Sequence, residues 1–259
     1  MKNHQTAVEG KFPIWKKSRE PVVTGNRKSS IINHQFQDAF TLVELLIVIA
    51  IIGVLVGFTI PVMRSVKRLQ YISHTKAEMA LLETAIQRYH AAYSFYPPSN
   101  PNYPAVPTDA MFSPLYFELL GTTNNNGTYQ TLDGSAAIGA STATMTNGFG
   151  VGGFVNCTRP GASEDAPAAQ NFLSDLKPKQ IGFNITNNNV PVTLLLGSVG
   201  GPDLSYQPFG VPDENPWRYV SPGVNNPNSY DLWIQLVING QTNLVCNWSG
   251  QVQINNPLP

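Results

Sequence analysis

An α+β protein is predicted, in which one N-terminal helix packs against a small antiparallel β-sheet joined by long loops. Three stretches carry that expectation. Residues 40–61 form an apolar run interrupted by a single acid, Glu44. Beyond it Met79, Leu82, Ile86, Tyr89 and Tyr93 recur at steps of three and four, the spacing of one helix face. Near the C-terminus Leu232, Ile234, Leu236 and Ile238 alternate with Trp233, Gln235 and Val237, the period of a strand buried on one side.

The 259 residues suffice for one moderately sized domain with appendages. Lys and Arg total 16 and so do Asp and Glu, leaving no basic stripe outside the N-terminal flank, so nucleic acid is excluded as a main partner. No Gly-x-Ser-x-Gly, His-Glu-x-x-His or Cys-x-x-Cys occurs, and no catalytic residue or cofactor site is expected. His4 and His34 lie near the N-terminus, and His74 and His90 are expected on a solvated helix face. Asp203, Asp213 and Glu214 read as loop and turn residues, and the Asn-x-Ser/Thr matches at Asn126, Asn156, Asn184 and Asn247 as chance in an Asn-rich chain.

Residues 1–39 are polar and mildly basic and read as a leader outside the fold. Residues 40–63 are assigned to a membrane-crossing helix, since about 20 apolar residues at ~1.5 Å each cross a ~30 Å hydrocarbon core. Glu44 leaves two readings open: a solvated residue at the headgroup boundary, or a functional acid with a partner. Gly53 and Gly57, four apart, either are tolerated or admit a close neighbouring helix. Pro61 would kink the helix or open a carbonyl.

Residues 64–94 continue the helix amphipathically to Pro97 and Pro98, which cannot supply the amide a helix needs. Leu115, Phe117, Leu119 and Leu120 form a short apolar cluster suited to capping the exposed helix face. Residues 95–259 form a β-rich head. Within it, 121–169 is dominated by small and polar residues and is expected to be a long exposed loop. Gly148 to Gly153 resembles a phosphate-binding loop only in glycine content, lacking a strand before it and a helix after it. Val190–Leu196 reads as a strand. Asn239-Gly240 is a type I′ turn signal, Leu244, Cys246 and Trp248 alternate after it, and Ser249-Gly250 leads to Val252 and Ile254, completing a three-stranded meander that would cover the helix.

Ala39 followed by Phe40-Thr41-Leu42-Val43-Glu44 and an aliphatic run resembles the class III signal of type IV prepilins and type II secretion pseudopilins. The resemblance implies a pilin-like fold. It also implies a prepilin peptidase that cuts between Ala39 and Phe40 and N-methylates Phe40, leaving Glu44 as the fifth residue of the mature chain. The family usually carries Gly before the scissile bond; this chain carries Ala39, the next smallest side chain. The residues around Tyr89–Tyr103, then Pro216-Trp217-Arg218-Tyr219, Ser221-Pro222-Gly223 and Tyr230-Asp231-Leu232, are similar to the major pseudopilin of type II secretion. The resemblance covers about half of the mature chain.

It further implies an inner-membrane, single-pass subunit with a cytoplasmic leader and a periplasmic head. Its partners would be the peptidase, copies of itself, other pseudopilins and an inner-membrane assembly platform. Basic residues flank the apolar run on both sides in similar numbers, so this orientation rests on the resemblance. The family's calcium is held by an acidic loop after Tyr-Asp-Leu. Residues 233–243 contain no acid here, so no metal is expected; Asp231 is the one side chain placed to contribute. In an oxidising compartment Cys157 and Cys246 are expected to pair as a disulfide, the alternative being two unpaired buried thiols. Two other functions stay open: a type IV pilin or minor pilin in adhesion, motility or DNA uptake, and a membrane-anchored binding protein or enzyme.

Overall fold

A computed structural model describes residues 40–159, 161 and 167–255, with the backbone alone at 59–64 and 184. The leader expected over 1–39 lies outside the described residues. Contacts divide the chain into two compact units, Met1–Gly53 and Val54–Pro259.

The described part of the first unit is the start of α1 (Leu42–Tyr93). Its large apolar side chains, among them Phe40, Leu42, Leu45, Leu46, Ile47 and Ile49, are all exposed. Among the described residues no helix is long and apolar enough to cross a membrane. The apolar side chains described run from Leu42 to Phe58, just short of the ~20 residues a span takes, and those of 59–64 are not described.

In the second unit α1 buries one stripe: Ile72, Leu82, Ala85, Ile86 and Tyr89 belong to the main core, with Met79 and Tyr93 half-buried beside them. Met79, Leu82, Ile86, Tyr89 and Tyr93 are the positions the three-and-four spacing picks out, and the structure adds Ile72 and Ala85. The helix ends where Ser94 adopts a φ of 65° and donates its N–H to the His90 carbonyl at 2.8 Å. Two cations of α1 hold it to the rest of this unit. Arg68 Nε donates to Asn243 Oδ1 at 2.9 Å, and Lys76 Nζ to the Gly250 carbonyl at 3.0 Å.

The surface beneath α1 is an antiparallel sheet of β7 (Arg218–Val220), β8 (Asp231–Ile238), β9 (Gln241–Cys246) and β10 (Gln253–Ile254), in the order β10-β9-β8-β7. The expected meander is β8, β9 and β10, and β7 adds a fourth strand. Asn239 and Gly240 turn β8 into β9 with φ of 53° and 75°, the paired positive values of a type I′ turn. Leu232, Ile234, Leu236 and Ile238 face the main core with α1. Alternation sends Trp233 and Cys246, cross-strand partners, to the other face, where they pack with Tyr103, Ala110, Val220 and Leu244.

The long loop expected over 121–169 is corrected by the structure. Helix α2 (Leu115–Leu120), buried at every residue, precedes it. The segment itself contains β1 (Thr122–Asn125), β2 (Thr128–Thr131), β3 (Ala137–Gly139), α3 (Thr142–Phe149) and β4 (Cys157–Thr158). The strands form a second sheet, ordered β3-β2-β1-β4. Tyr129, Ile138, Met145, Phe149 and Phe154 of this segment are buried, and the Phe154 ring stacks on Phe117 of α2 at 4.7 Å. Gly121 links α2 to β1 at a φ of 70°, and a Cβ there would lie 2.6 Å from the Gln170 carbonyl oxygen, so no other residue fits. The glycine-rich stretch after Gly148 closes α3: Gly150 is a left-handed C-cap, the opposite helix end from one that cradles phosphate. The strand expected at Val190–Leu196 is β6 (Val190–Leu195), paired with β5 (Ile181–Asn187).

Candidate processing and assembly site

The start of α1 is closed by a reciprocal cap. Thr41 donates its N–H to Glu44 Oε2 at 2.8 Å and its hydroxyl to the same oxygen at 2.9 Å, while Glu44 returns its own N–H to Thr41 Oγ1 at 3.2 Å. Leu45 donates to the Thr41 carbonyl at 3.1 Å, the first turn of the helix. Threonine followed three residues later by glutamate before an apolar run is the sequence pattern of a capping box, and it was readable at Thr41 and Glu44. The carboxylate is exposed to its surroundings and at the same time folded back on the helix start, beside the N–H groups that carry the positive end of the dipole.

Phe40 precedes this cap and is exposed. The bond at which cleavage is expected joins it to Ala39, which lies outside the described residues. Cleavage there leaves the Phe40–Thr41 peptide intact, so every group of the cap survives. Gly53 and Gly57 each face open space within the chain, where an added Cβ would meet nothing within 4 Å.

Residues from 96–99, 219–221 and 230 meet at the exit of α1. Tyr219 Oη donates to the Pro97 carbonyl at 2.8 Å, Ser99 Oγ donates to the Ser221 carbonyl at 3.1 Å and receives the Ser221 N–H, and the Tyr96 ring meets that of Tyr230 at 5.1 Å. Trp217 is buried in the main core.

Asp231 starts β8 and is buried. Its Oδ2 accepts the N–H and side-chain amide of Asn225 at 2.7 and 3.1 Å, and its Oδ1 accepts the Asn226 N–H at 3.0 Å. Among the described residues no three of His, Cys, Asp and Glu come together as metal ligands do. A donor set of three N–H groups does not fit a calcium ion, whose ligands are oxygens.

Cys157 and Cys246 are free thiols, so the expected disulfide is not formed. Cys157 packs beside the main core on β4, whereas Cys246 of β9 faces the second cluster across the other sheet. Burial raises the Cys246 thiol pKa.

His74 is not simply solvated. Its Nε2 lies 2.9 Å from Ser198 Oγ and 3.3 Å from Glu78 Oε1, and Ser198 also donates its hydroxyl and its N–H to the two oxygens of Glu78. One ring nitrogen meets both the hydroxyl and the acid. A nucleophile relay uses the two ring nitrogens separately, so this cluster fastens α1 to the turn after β6 and is not arranged for catalysis. His90 stacks on Tyr96 at 4.3 Å, and Asp203 caps a turn through the Gly240 N–H, as a loop acid does. Asn156 is fully buried and hydrogen-bonded.

A second acid escaped the sequence reading. Glu118 in α2 is fully buried and accepts the Tyr89 hydroxyl and the N–H groups of Val155 and Asn156 at 3.0, 2.8 and 2.9 Å. Burial, the largest influence, pushes its carboxyl above the usual range despite these donors. Its only signal was an acid standing inside Leu115–Leu120.

Residues 35–60 match the family model described as the prokaryotic N-terminal methylation motif. This is the prepilin-type cleavage and methylation signal of pilin-like proteins, whose members are structural subunits. No curated protein and no solved structure gives a significant match.

Proposed function

We propose that this chain, bearing the prepilin-type signal, is a subunit of a type II secretion pseudopilus, anchored by α1 in the bacterial inner membrane with its head in the periplasm. The observation that carries this reading is the capped acid at the head of an exposed apolar helix, directly behind the cleavage signal. So large an unpartnered apolar surface needs lipid or neighbouring helices to cover it. The sequence continues the run to Ile60, long enough for a single span.

Cleavage before Phe40 creates an α-ammonium at the positive end of the helix dipole, where it is unfavourable. Glu44 lies four residues on, ~6 Å along the axis, and Thr41 keeps its carboxylate turned toward that end. Pairing within one chain compensates the charge. Pairing with the ammonium of a neighbouring chain does so too and additionally fixes the axial stagger between subunits. Gly53 and Gly57 let the two helices approach closely.

The joining of Tyr219 to Pro97 and of Tyr230 to Tyr96 at the helix exit supports the secretion reading over a type IV pilin, because these residues lie in the stretches that resemble the major pseudopilin. The test is deletion and complementation in the native host. Loss of protein export with no surface filaments to lose supports the secretion role; loss of surface filaments, motility or DNA uptake with export intact overturns it in favour of a pilin.

A further inference from the structure

Asp231, at the end of the loop between β7 and β8, is the one side chain the resemblance leaves for a calcium ion, yet both of its carboxylate oxygens are already engaged. Three N–H groups, from the backbone of Asn225 and Asn226 and the side chain of Asn225, converge on the Asp231 carboxylate. The neighbouring carbonyls are engaged as well. Tyr230 O accepts the side-chain amides of Asn226 and Asn247, Asn226 O accepts the Ser229 N–H, and Ser229 O accepts the Gly223 N–H. Asn247 Oδ1 receives the Leu232 N–H at 3.0 Å. Gly223 closes the remaining side, since a Cβ there would sit 2.6 Å from Asp231 Oδ1.

Calcium takes six to eight oxygens at about 2.3–2.6 Å, carboxylates foremost. Here an approaching cation meets the positive ends of N–H dipoles, and the next acid-bearing segment is absent because residues 233–243 contain none. We propose that an asparagine clip on Asp231 takes the place of a metal ion, so that the head folds and holds its β7–β8 loop without calcium. The donors do for the carboxylate what a cation would do: they compensate a buried charge and fix the loop around it. This concerns the head alone and stands whichever filament the chain builds.

Thermal unfolding of the full processed chain in detergent, in EGTA and then in excess calcium, tests it. The wild-type midpoint is expected to agree within about 1 °C between the two solutions, since even one hydrogen bond's worth of stability moves a domain of this size by roughly 2–4 °C. Asn225→Ala, which removes one donor and leaves the backbone N–H groups, is expected to lower the midpoint by a few degrees equally in both. Asp231→Asn is expected to lower it further, again equally. A wild-type midpoint that rises with calcium, or a variant loss seen only when calcium is present, would overturn the proposal.

Discussion

Glu44 accepts both the backbone N–H and the hydroxyl of Thr41, at 2.8 and 2.9 Å, so the acid behind the cleavage signal is also the cap of its own helix. The two roles are separable by substitution. Glutamine can fill the same capping position, so Glu44→Gln keeps the cap and removes only the charge. Membrane insertion and cleavage are expected to persist while filament assembly falls at least about tenfold, equivalent to ~1.4 kcal/mol. Thr41→Val does the reverse: it loses about 1 kcal/mol of capping and retains the charge, so assembly is expected to survive. Quantitative cross-linking of assembled subunits reads both variants. Wild-type assembly in Glu44→Gln, or its loss in Thr41→Val alone, would assign the effect to helix capping.

Glu118 predicts how the head responds to pH. Its carboxyl is raised in the folded state by burial. The folded chain therefore holds a proton that the unfolded chain has released, and this contribution is complete below the ordinary carboxylate range and lost as pH rises through the raised value. Glu118→Gln abolishes the titration and turns an amide against the Val155 or Asn156 N–H, costing about 1–3 kcal/mol. The stability difference between wild type and variant, measured by urea unfolding across pH, is expected to be largest in acid and to shrink toward neutrality. A difference that grows with pH would contradict the burial of this acid.

Tyr219→Phe tests the joint between the exit of α1 and β7. The ring stays in the core while the buried Pro97 carbonyl loses its donor, and about 1–3 kcal/mol of stability should be lost. Thermal unfolding measures it; a change below about 0.5 kcal/mol would show that the bond contributes no more than an ordinary surface position.

The parts of the fold that were legible are those in which many side chains repeat a period. The stripe from Met79 to Tyr93 and the alternation of Leu232 through Ile238 each place several large residues on one face, and Asn239-Gly240 supplies its own turn. Residues 121–169 were misread because their strands are short and polar, Thr122–Asn125 among them, and each leans on one or two large side chains such as Tyr129 or Phe154. Average composition hides such isolated anchors. β5 went unread although its partner β6 was recognised, since Gly182 and Asn187 dilute its apolar pattern. The cysteines show the limit of reasoning from compartment: oxidising surroundings permit a bridge, but Cys157 and Cys246 sit on different sheets and in different clusters. At the candidate site the cleavage motif was fully legible, while the Thr41–Glu44 cap was written in the same residues and passed over because the acid was weighed for its charge alone.

The central claim is that this chain is processed as a pilin-like subunit, and the mass of its mature N-terminus tests that most directly. Membrane fractions from cells carrying the prepilin peptidase should yield a chain beginning at N-methyl-Phe40, with the bond after Ala39 cut. Recovery of the chain with Met1 to Ala39 still attached in those membranes would contradict it.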